Sequence, residues 1–338
     1  MLFDMEENQI FLTDIPNGHV LVLGKSGMGK TYYMLKTVWE AAQKGRNVLL
    51  FDYSGSYRIE EIKKVALADM DDIEILNPME TEIIWTTNSH TLPLTFAGAI
   101  LKSLHNKSYY QKKLLMEGLQ RIQKNSASIG FDTIMLSLEN MLLEDRDSDS
   151  KKNILHLLAR LEPYSEIKKI RFIGEDTAPN TGPQIKIIQL SDFPVIQRQF
   201  VTTFLTELFW EEVRAGWRKM DIIVLDEFQF ISLKAGTGLA EMLREGRKFG
   251  LSMYLSSQFI GEYSKDELNT VFQCGNILFF RPTAQDSKKS ANMISSGDCK
   301  RWKLILKNLG IGEAVLLGNY RIKGRQRIIE DPIVCKVK

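Results

Sequence analysis

The chain has 338 residues, of which 44% are hydrophobic and 25% charged, with a net charge of only +2. This length can bury a sizeable core as one large domain or two, and the composition is that of an ordinary soluble globular protein. So small a net charge does not announce a nucleic-acid partner, and any basic surface must be local. Cys274, Cys299 and Cys335 lie far apart, with no C-x-x-C and no nearby histidine pair. That argues against zinc and against a disulfide framework, and fits a reducing compartment. No apolar run approaches the roughly 18 residues of a membrane span, and the N-terminus lacks a basic-then-apolar signal. The expected location is cytoplasmic.

In chain order, residues 1–18 precede the first core strand and are too few for a domain. His19 to Leu23 is a short apolar run that reads as a buried strand. The stretch Gly24-Lys25-Ser26-Gly27-Met28-Gly29-Lys30-Thr31 follows, and helical spacing (Met34, Leu35, Val38, Trp39, Ala42) runs from Thr31 to Lys44, stopped by Gly45. A second buried strand spans Asn47 to Phe51 and ends at Asp52, with a turn through Ser54 and Gly55. A helix over about Ile59 to Leu67 and a strand at Ile73 to Leu76 come next. Alternating strand and helix predicts a parallel sheet with helices on both faces.

The rhythm changes between about Pro93 and Glu166, where the periods are helical: Leu94 to Leu104, Tyr110 to Ile122, Thr133 to Leu143 and Asn153 to Leu161. The acidic stretch Glu144-Asp145-Arg146-Asp147-Ser148-Asp149 reads as an exposed turn. The expectation is an all-helical insertion, residues 93–166, in an α/β core formed by 1–92 and 167–338. Strands resume at Ile170 to Ile173 and Ile185 to Leu190. A long amphipathic helix covers about Val195 to Arg214. Strand Asp221 to Leu225, helix Leu239 to Phe249, and strands Leu251 to Leu255 and Asn276 to Phe280 follow. The tail from Gly312 reads as short strands.

The stretch from Gly24 to Thr31 fits G-x-x-x-x-G-K-[ST], the Walker A phosphate loop. Gly24, Gly27 and Gly29 let the backbone turn with positive φ and approach a polyphosphate closely. Successive N–H groups, from Lys25, Ser26 and Met28 among others, then face one concavity at the start of a helix. Lys30 can reach the β- and γ-phosphates, and the Thr31 hydroxyl is placed to ligate Mg²⁺. This is an NTP site. A base-reading Asn-Lys-x-Asp is missing, since Asn106-Lys107-Ser108-Tyr109 lacks the acid, and this disfavours a GTPase.

Ile222 to Leu225 is an apolar strand ending in Asp226 and Glu227. In P-loop enzymes the first acid holds the Mg²⁺ shell and the second can orient and deprotonate the attacking water. A paired Asp-Glu suits ATP hydrolysis. Strand Leu251 to Leu255 ends at Ser256-Ser257-Gln258, where an amide beside the phosphate loop can sense the γ-phosphate or hold the water. The scattered histidines His19, His90, His105 and His156 receive no chemistry.

Several stretches together resemble the HerA–FtsK superfamily of ring ATPases, most closely HerA-type DNA translocases and the related conjugation ATPases. They are Gly24 to Thr31; Asp52-Tyr53-Ser54-Gly55-Ser56-Tyr57; Leu225-Asp226-Glu227-Phe228-Gln229-Phe230; Leu243-Arg244-Glu245-Gly246-Arg247-Lys248-Phe249-Gly250-Leu251 with Ser256-Ser257-Gln258; Ile277 to Arg281 with Asp286; and Leu309 to Val315. The resemblance implies a RecA-like P-loop NTPase core, ATP and Mg²⁺ as ligands, a hexameric ring with nucleotide at the subunit interface, and DNA as the polymer moved. It also implies a trans-acting arginine. Arg247 is favoured, with Arg244 as a further candidate and Arg281 as a second finger or a sensor. Surface ion pairs with Glu241 or Glu245 are the plainer reading of these arginines. The chain departs from the family at Ser56, where a glutamate is usual, and residues 1–18 leave no room for the family's N-terminal β-barrel.

The basic clusters Lys168-Lys169-Ile170-Arg171, Lys288-Lys289, Lys300-Arg301-Trp302-Lys303 and Arg321 to Arg327 are candidates for a pore, because six copies of one or two cations sum. A motor with a separate nuclease or effector partner, as in antiviral defence, leads this reading. An ATP-dependent assembly switch without DNA movement and a secretion or conjugation motor are the alternatives.

Overall fold

The computed structural model describes residues 1–13, 17–65, 73–125, 128–144, 146–177, 184–259, 261, 263–325 and 327–338. Leu67, the expected end of the second helix, Asp145 of the acidic turn and Gln326 of the last basic cluster lie outside the described residues.

The interior strands form from continuous apolar runs that are buried on both faces, as a parallel sheet covered on two sides requires. These are β3 (Val20–Leu23), β4 (Val48–Asp52) and β9 (Ile222–Leu225). Together with β5 (Ile73–Leu76), β8 (Ile185–Gln189), β10 (Ser252–Ser257) and β11 (Asn276–Phe280) they run parallel in the order β11-β3-β10-β9-β4-β8-β5. Alternate residues divide the core. Val20, Val22, Val48, Leu50 and Val224 pack under α1 (Lys30–Ala42) and α2 (Ile59–Val65). Leu21, Leu23, Phe51, Ile223 and Leu225 face α7 (Val195–Arg214), α8 (Gly238–Glu245) and the helices of the 93–166 region. The core is therefore α/β with helices on both faces.

The sheet does not stop at β11. Strands β12 (Glu313–Gly318), β14 (Ile333–Val337), β1 (Leu2–Asp4), β2 (Gln9–Leu12) and β13 (Tyr320–Ile322) continue it with antiparallel pairing, so that among the described residues it has 12 strands. The first residues of the chain thus join the last in register, Leu2 opposite Val337. The sequence pattern did not reveal this pairing.

The helices of the 93–166 region are α3 (Leu92–Ser103), α4 (Tyr109–Asn125), α5 (Phe131–Leu143) and α6 (Ser148–Leu161). They are entered and left through β6 (Ile83–Asn88) and β7 (Ile170–Glu175), which pair with each other in parallel as a two-stranded sheet, with Ile129 bridging to Phe172 of β7. The strand expected to resume the main sheet at Ile170 is therefore part of a separate two-stranded ribbon. Phe96, Phe131, Phe172 and Phe204 meet edge to face, with centroids 4.8–5.6 Å apart, and bind these helices to α7. Glu207 of α7, 1% exposed, accepts from Lys102 Nζ of α3 (2.8 Å) and from the Gly238 N–H that opens α8. One buried carboxylate clasps three helices.

The expected helix over Leu239–Phe249 ends as an α-helix at Glu245 and tightens to a 3₁₀ turn over Gly246–Phe249. Beside that turn, His19 at the foot of β3 is buried. Its Nδ1 accepts from the Met253 N–H (2.9 Å), it also bonds the Leu243 backbone, and burial pushes its pKa down to about 4. A depressed histidine pKa means stability that is present above about 6.5 and lost as pH falls towards 4, a contribution of ~3 kcal/mol at most. Urea unfolding between pH 7 and pH 4 should therefore show a falling midpoint. His19→Gln should lower the midpoint at pH 7 and flatten that slope.

Candidate nucleotide site

The phosphate loop hangs from its neighbours by backbone bonds. Gly24 N–H donates to Ser257 C=O (3.2 Å), Lys25 N–H to Arg281 C=O (2.9 Å), and Gly312 N–H to Met28 C=O (3.0 Å). Gly24 has φ +148° and a Cβ there would stand 2.6 Å from Phe280 Cβ, so only glycine fits between β3 and β11. Gly27 and Gly29 also have positive φ. Ser26 and Gly27 are exposed at the loop's crest, and Thr31 lies in the first turn of α1. Lys30 is buried and its Nζ donates to Lys25 C=O (3.1 Å). Burial lowers its pKa, against the opposing pull of Glu227 and Asp226.

Across from it, β9 delivers Asp226 and Glu227. Asp226 is held by two hydroxyls: Ser256 Oγ donates to Oδ1 and Ser54 Oγ to Oδ2, both at 2.6 Å. Burial is the main force raising its pKa to about 6, and the nearby Glu227 and Asp52 add to it. Glu227 takes a left-handed backbone (φ 51°), a costly conformation for a side chain of its type. Its two oxygens accept from Gln258 Nε2 (2.5 Å) and Gln229 Nε2 (2.6 Å), and Ser257 Oγ bonds the other end of Gln229 (2.7 Å). Asp52, the last residue of β4, collects the N–H groups of Gly55 (2.8 Å), Ser56 (3.1 Å) and Tyr57 (3.1 Å) and so shapes the turn that presents Ser54. Burial raises the Asp52 pKa.

Sequence reasoning picked out Lys30, Thr31, Asp226, Glu227 and Gln258; the structure brings Lys30, the two acids and Gln258 together, and Thr31 follows Lys30 in the first turn of α1. That reasoning quoted Asp52, Ser54, Gln229 and Ser256 within longer stretches but gave them no role. Their signal was present, as short polar residues at the carboxyl tips of adjacent apolar strands.

The arginines separate. Arg281 follows β11 beside the phosphate loop of its own chain, and its Nε is buried with no hydrogen-bond partner. Arg244 donates to Thr270 Oγ1 (3.3 Å), and Arg247 is exposed. Both lie before β10, whereas the phosphate loop follows β3, and β3 and β10 are parallel with Leu23 opposite Ser257. The length of β10, about 20 Å, stands between Arg247 and its own phosphate loop. Among the described residues Glu241 accepts from Trp210 Nε1 (2.7 Å) and Arg214 (3.1 Å), and Glu245 pairs with Lys248 (3.5 Å).

Among the basic clusters, Arg171 is committed to Asp132 by two bonds (2.5 and 2.8 Å), and Lys169 to the carbonyls of Met79 and Glu80 (2.9 and 2.8 Å). Trp302 is buried and packs in the core, which removes it from base stacking.

Fold and site together define a P-loop ATPase. The sequence family described as helicase HerA, central domain, matches residues 9–209, and the chain belongs to it. A probable helicase of Methanocaldococcus jannaschii is 22% identical over 89% of this chain and 60% of its own length. The DNA double-strand break repair helicase HerA of Sulfurisphaera tokodaii is 23% identical over 94% of this chain and 64% of its own. The chain thus spans 60% and 64% of the length of these curated relatives. In fold it is similar to VirB4 of Thermoanaerobacter pseudethanolicus (TM-score 0.66, 14% identity, 99% of this chain and 95% of that one). It is also similar to the plasmid coupling protein TrwB solved with ADP and Mg²⁺ (TM-score 0.58, 14% identity, 93% of this chain and 85% of that one). Among the described residues no helix is long and apolar enough to cross a membrane, and no group of three His, Cys, Asp or Glu side chains could hold a metal ion alone.

A raised carboxylate pKa has a stability consequence. The Asp226 contribution is favourable at low pH and is lost as pH rises through about 6, because the ionised form is the one burial penalises. In EDTA at pH 8, Asp226→Asn should raise unfolding stability by ~1–2 kcal/mol. Calorimetry checks this, and the same variant should lose nucleotide hydrolysis.

Proposed function

We propose that this chain is an ATP-hydrolysing motor subunit that works as a homo-oligomeric ring, a hexamer, and moves along or unwinds DNA. In this reading 1–92 and 167–338 form the ATPase core and 93–166 a helical subdomain within it. The observation that carries it is the placement of the arginines. A phosphate loop, two acids and an amide meet at one edge of the sheet, while the segment bearing Arg247 precedes β10 and so lies at the opposite edge, the side a second subunit's nucleotide would meet in a ring.

The residues present fit Mg·ATP. The loop from Gly24 through Lys25, Ser26, Gly27, Met28 and Gly29 offers its N–H groups to the phosphates. Lys30 exchanges its Lys25 carbonyl for the β- and γ-phosphates, and the unpartnered Arg281 Nε lies beside the same loop. Thr31 and Asp226 would hold Mg²⁺, which would draw negative charge off the phosphates. Glu227, steadied by Gln229 and Gln258, orients the attacking water and takes its proton as oxygen bonds the γ-phosphorus. The bond to the β,γ-bridging oxygen then breaks. Arg247 of a neighbouring subunit neutralises the charge that spreads over the γ-phosphoryl oxygens, an effect of about 10³–10⁵ in rate in other P-loop enzymes. Arg281 acts within its own subunit as a γ-phosphate sensor. Arg244, tied to Thr270, sets the position of the segment that bears Arg247.

DNA as the polymer and a separate nuclease or effector partner, in a setting such as antiviral defence, extend the same reading. The relatives named as helicases support the first. In this reading the nuclease or effector partner supplies any cutting.

The test is ATP hydrolysis with and without duplex DNA. The wild type should be stimulated by DNA, and Lys30→Ala and Glu227→Gln should each reduce turnover at least a hundredfold. Arg247→Ala should be as inactive, yet mixing it with Lys30→Ala should restore part of the activity, because mixed rings contain intact loops facing intact arginines. No recovery on mixing would count against the trans arginine.

A further inference from the structure

The turn that bears Arg247 is braced by an imidazole from another strand. Helix α8 stops at Glu245, so Leu243 sits in its last turn, where carbonyls lack donors from their own helix. His19, 1% exposed at the foot of β3, supplies one. Its Nδ1 accepts from the Met253 N–H (2.9 Å), so the other ring nitrogen carries the proton and donates to the Leu243 C=O. Met253 is the second residue of β10, one place before the first residue that pairs with β3. The ring thus ties the foot of β10 to the end of α8.

The His19 backbone is pinned as well. Its N–H donates to Asn17 Oδ1 (3.0 Å) and its C=O accepts from the Asn276 N–H (3.2 Å). Gly246 lies against the ring: a Cβ there would stand 3.4 Å from His19 Cε1 and 3.1 Å from Leu251 O. Past this contact the chain closes tightly, with Leu251 N–H donating to Gly246 C=O (3.0 Å) and Gly250 N–H to Arg247 C=O (3.1 Å). Arg247 follows Gly246 directly and its side chain is exposed.

We propose that His19 is a positioning residue for the arginine that one subunit lends to its neighbour: the imidazole fixes where α8 ends, and hence the place from which Arg247 reaches out. The proposal rests on the reading of Arg247 as a trans-acting residue. Misplacing a group that serves the transition state by about 1 Å can cost on the order of a hundredfold in rate, so a brace this close to the arginine matters to chemistry at the next subunit. The strand that ends in a subunit's own phosphate loop also begins at the support of the arginine it gives away, with only the four residues of β3 between them.

The test combines turnover, nucleotide binding and subunit mixing. His19→Gln, assayed well below its unfolding midpoint, should lower kcat by at least about tenfold and leave KM and the affinity for a fluorescent ADP analogue within about twofold. Mixing it with Lys30→Ala should raise turnover at least about threefold above the mean of the two separate proteins, because in a mixed ring the intact loop of one faces the well-placed arginine of the other. Mixing it with Arg247→Ala should give no gain, since neither then offers a placed arginine. Gly246→Ala, which crowds the ring but keeps both of its hydrogen-bonding nitrogens, should behave like His19→Gln. If Lys30→Ala rescues Arg247→Ala but neither His19→Gln nor Gly246→Ala, His19 serves the fold alone and the inference is overturned. A loss of ADP affinity in His19→Gln would overturn it too, by placing the defect in the subunit's own loop. If Arg247→Ala is not rescued, the trans-arginine reading itself fails, and this inference with it.

Discussion

Parallel strands in one sheet all end at the same edge, and here the pairing register leaves their carboxyl ends level. Leu23 stands opposite both Ser257 and Phe279, and Leu225 opposite both Leu255 and Phe51. Each strand therefore releases its next residues into one small space: Gly24 and the phosphate loop, Asp52, Asp226 with Glu227, Gln258 and Arg281. No long-range packing is needed to gather them. The same directionality sends the segment before β10, which bears Arg244 and Arg247, to the far edge of the sheet.

Gathering carboxylates in a buried corner opposes folding. Asp52 and Asp226 are both displaced upwards in pKa by desolvation, and Tyr57, fully buried with no partner for its hydroxyl, is displaced the same way beside them. Short polar groups moderate this: three backbone N–H groups on Asp52, two serine hydroxyls on Asp226 and two amides on Glu227. Residues that serve chemistry at the expense of stability are the usual pattern at functional sites.

How legible the chain is depends on the range of the interactions involved. The phosphate loop, the apolar strands β3, β4 and β9 and helix α7 are local patterns, and the sequence reading placed them within a few residues. The pairing of β1 with β14 joins opposite ends of the chain through three-residue runs with no pattern of their own. The ribbon of β6 and β7 is hidden for the same reason, since Trp85 and Phe172 become paired only across the helices between them. In the site, Lys30, Asp226, Glu227 and Gln258 follow from motif and order. Ser54, Ser256 and Gln229 are defined by which strand tips are neighbours, and strand order is not written in any one segment. The edge on which Arg247 and Arg281 fall follows from strand direction once the sheet order is known.

The clasp on Glu207 bears on how freely this architecture can be cut and recombined. A carboxylate with 1% exposure has no access to water, and its partners are Lys102 from one helix and the opening N–H of α8 from another. Excising the helical region would remove Lys102 from Glu207 and uncover the face of α7 that the helices of that region bury. The helical region and the helices α7 and α8 thus share one carboxylate as a joint support.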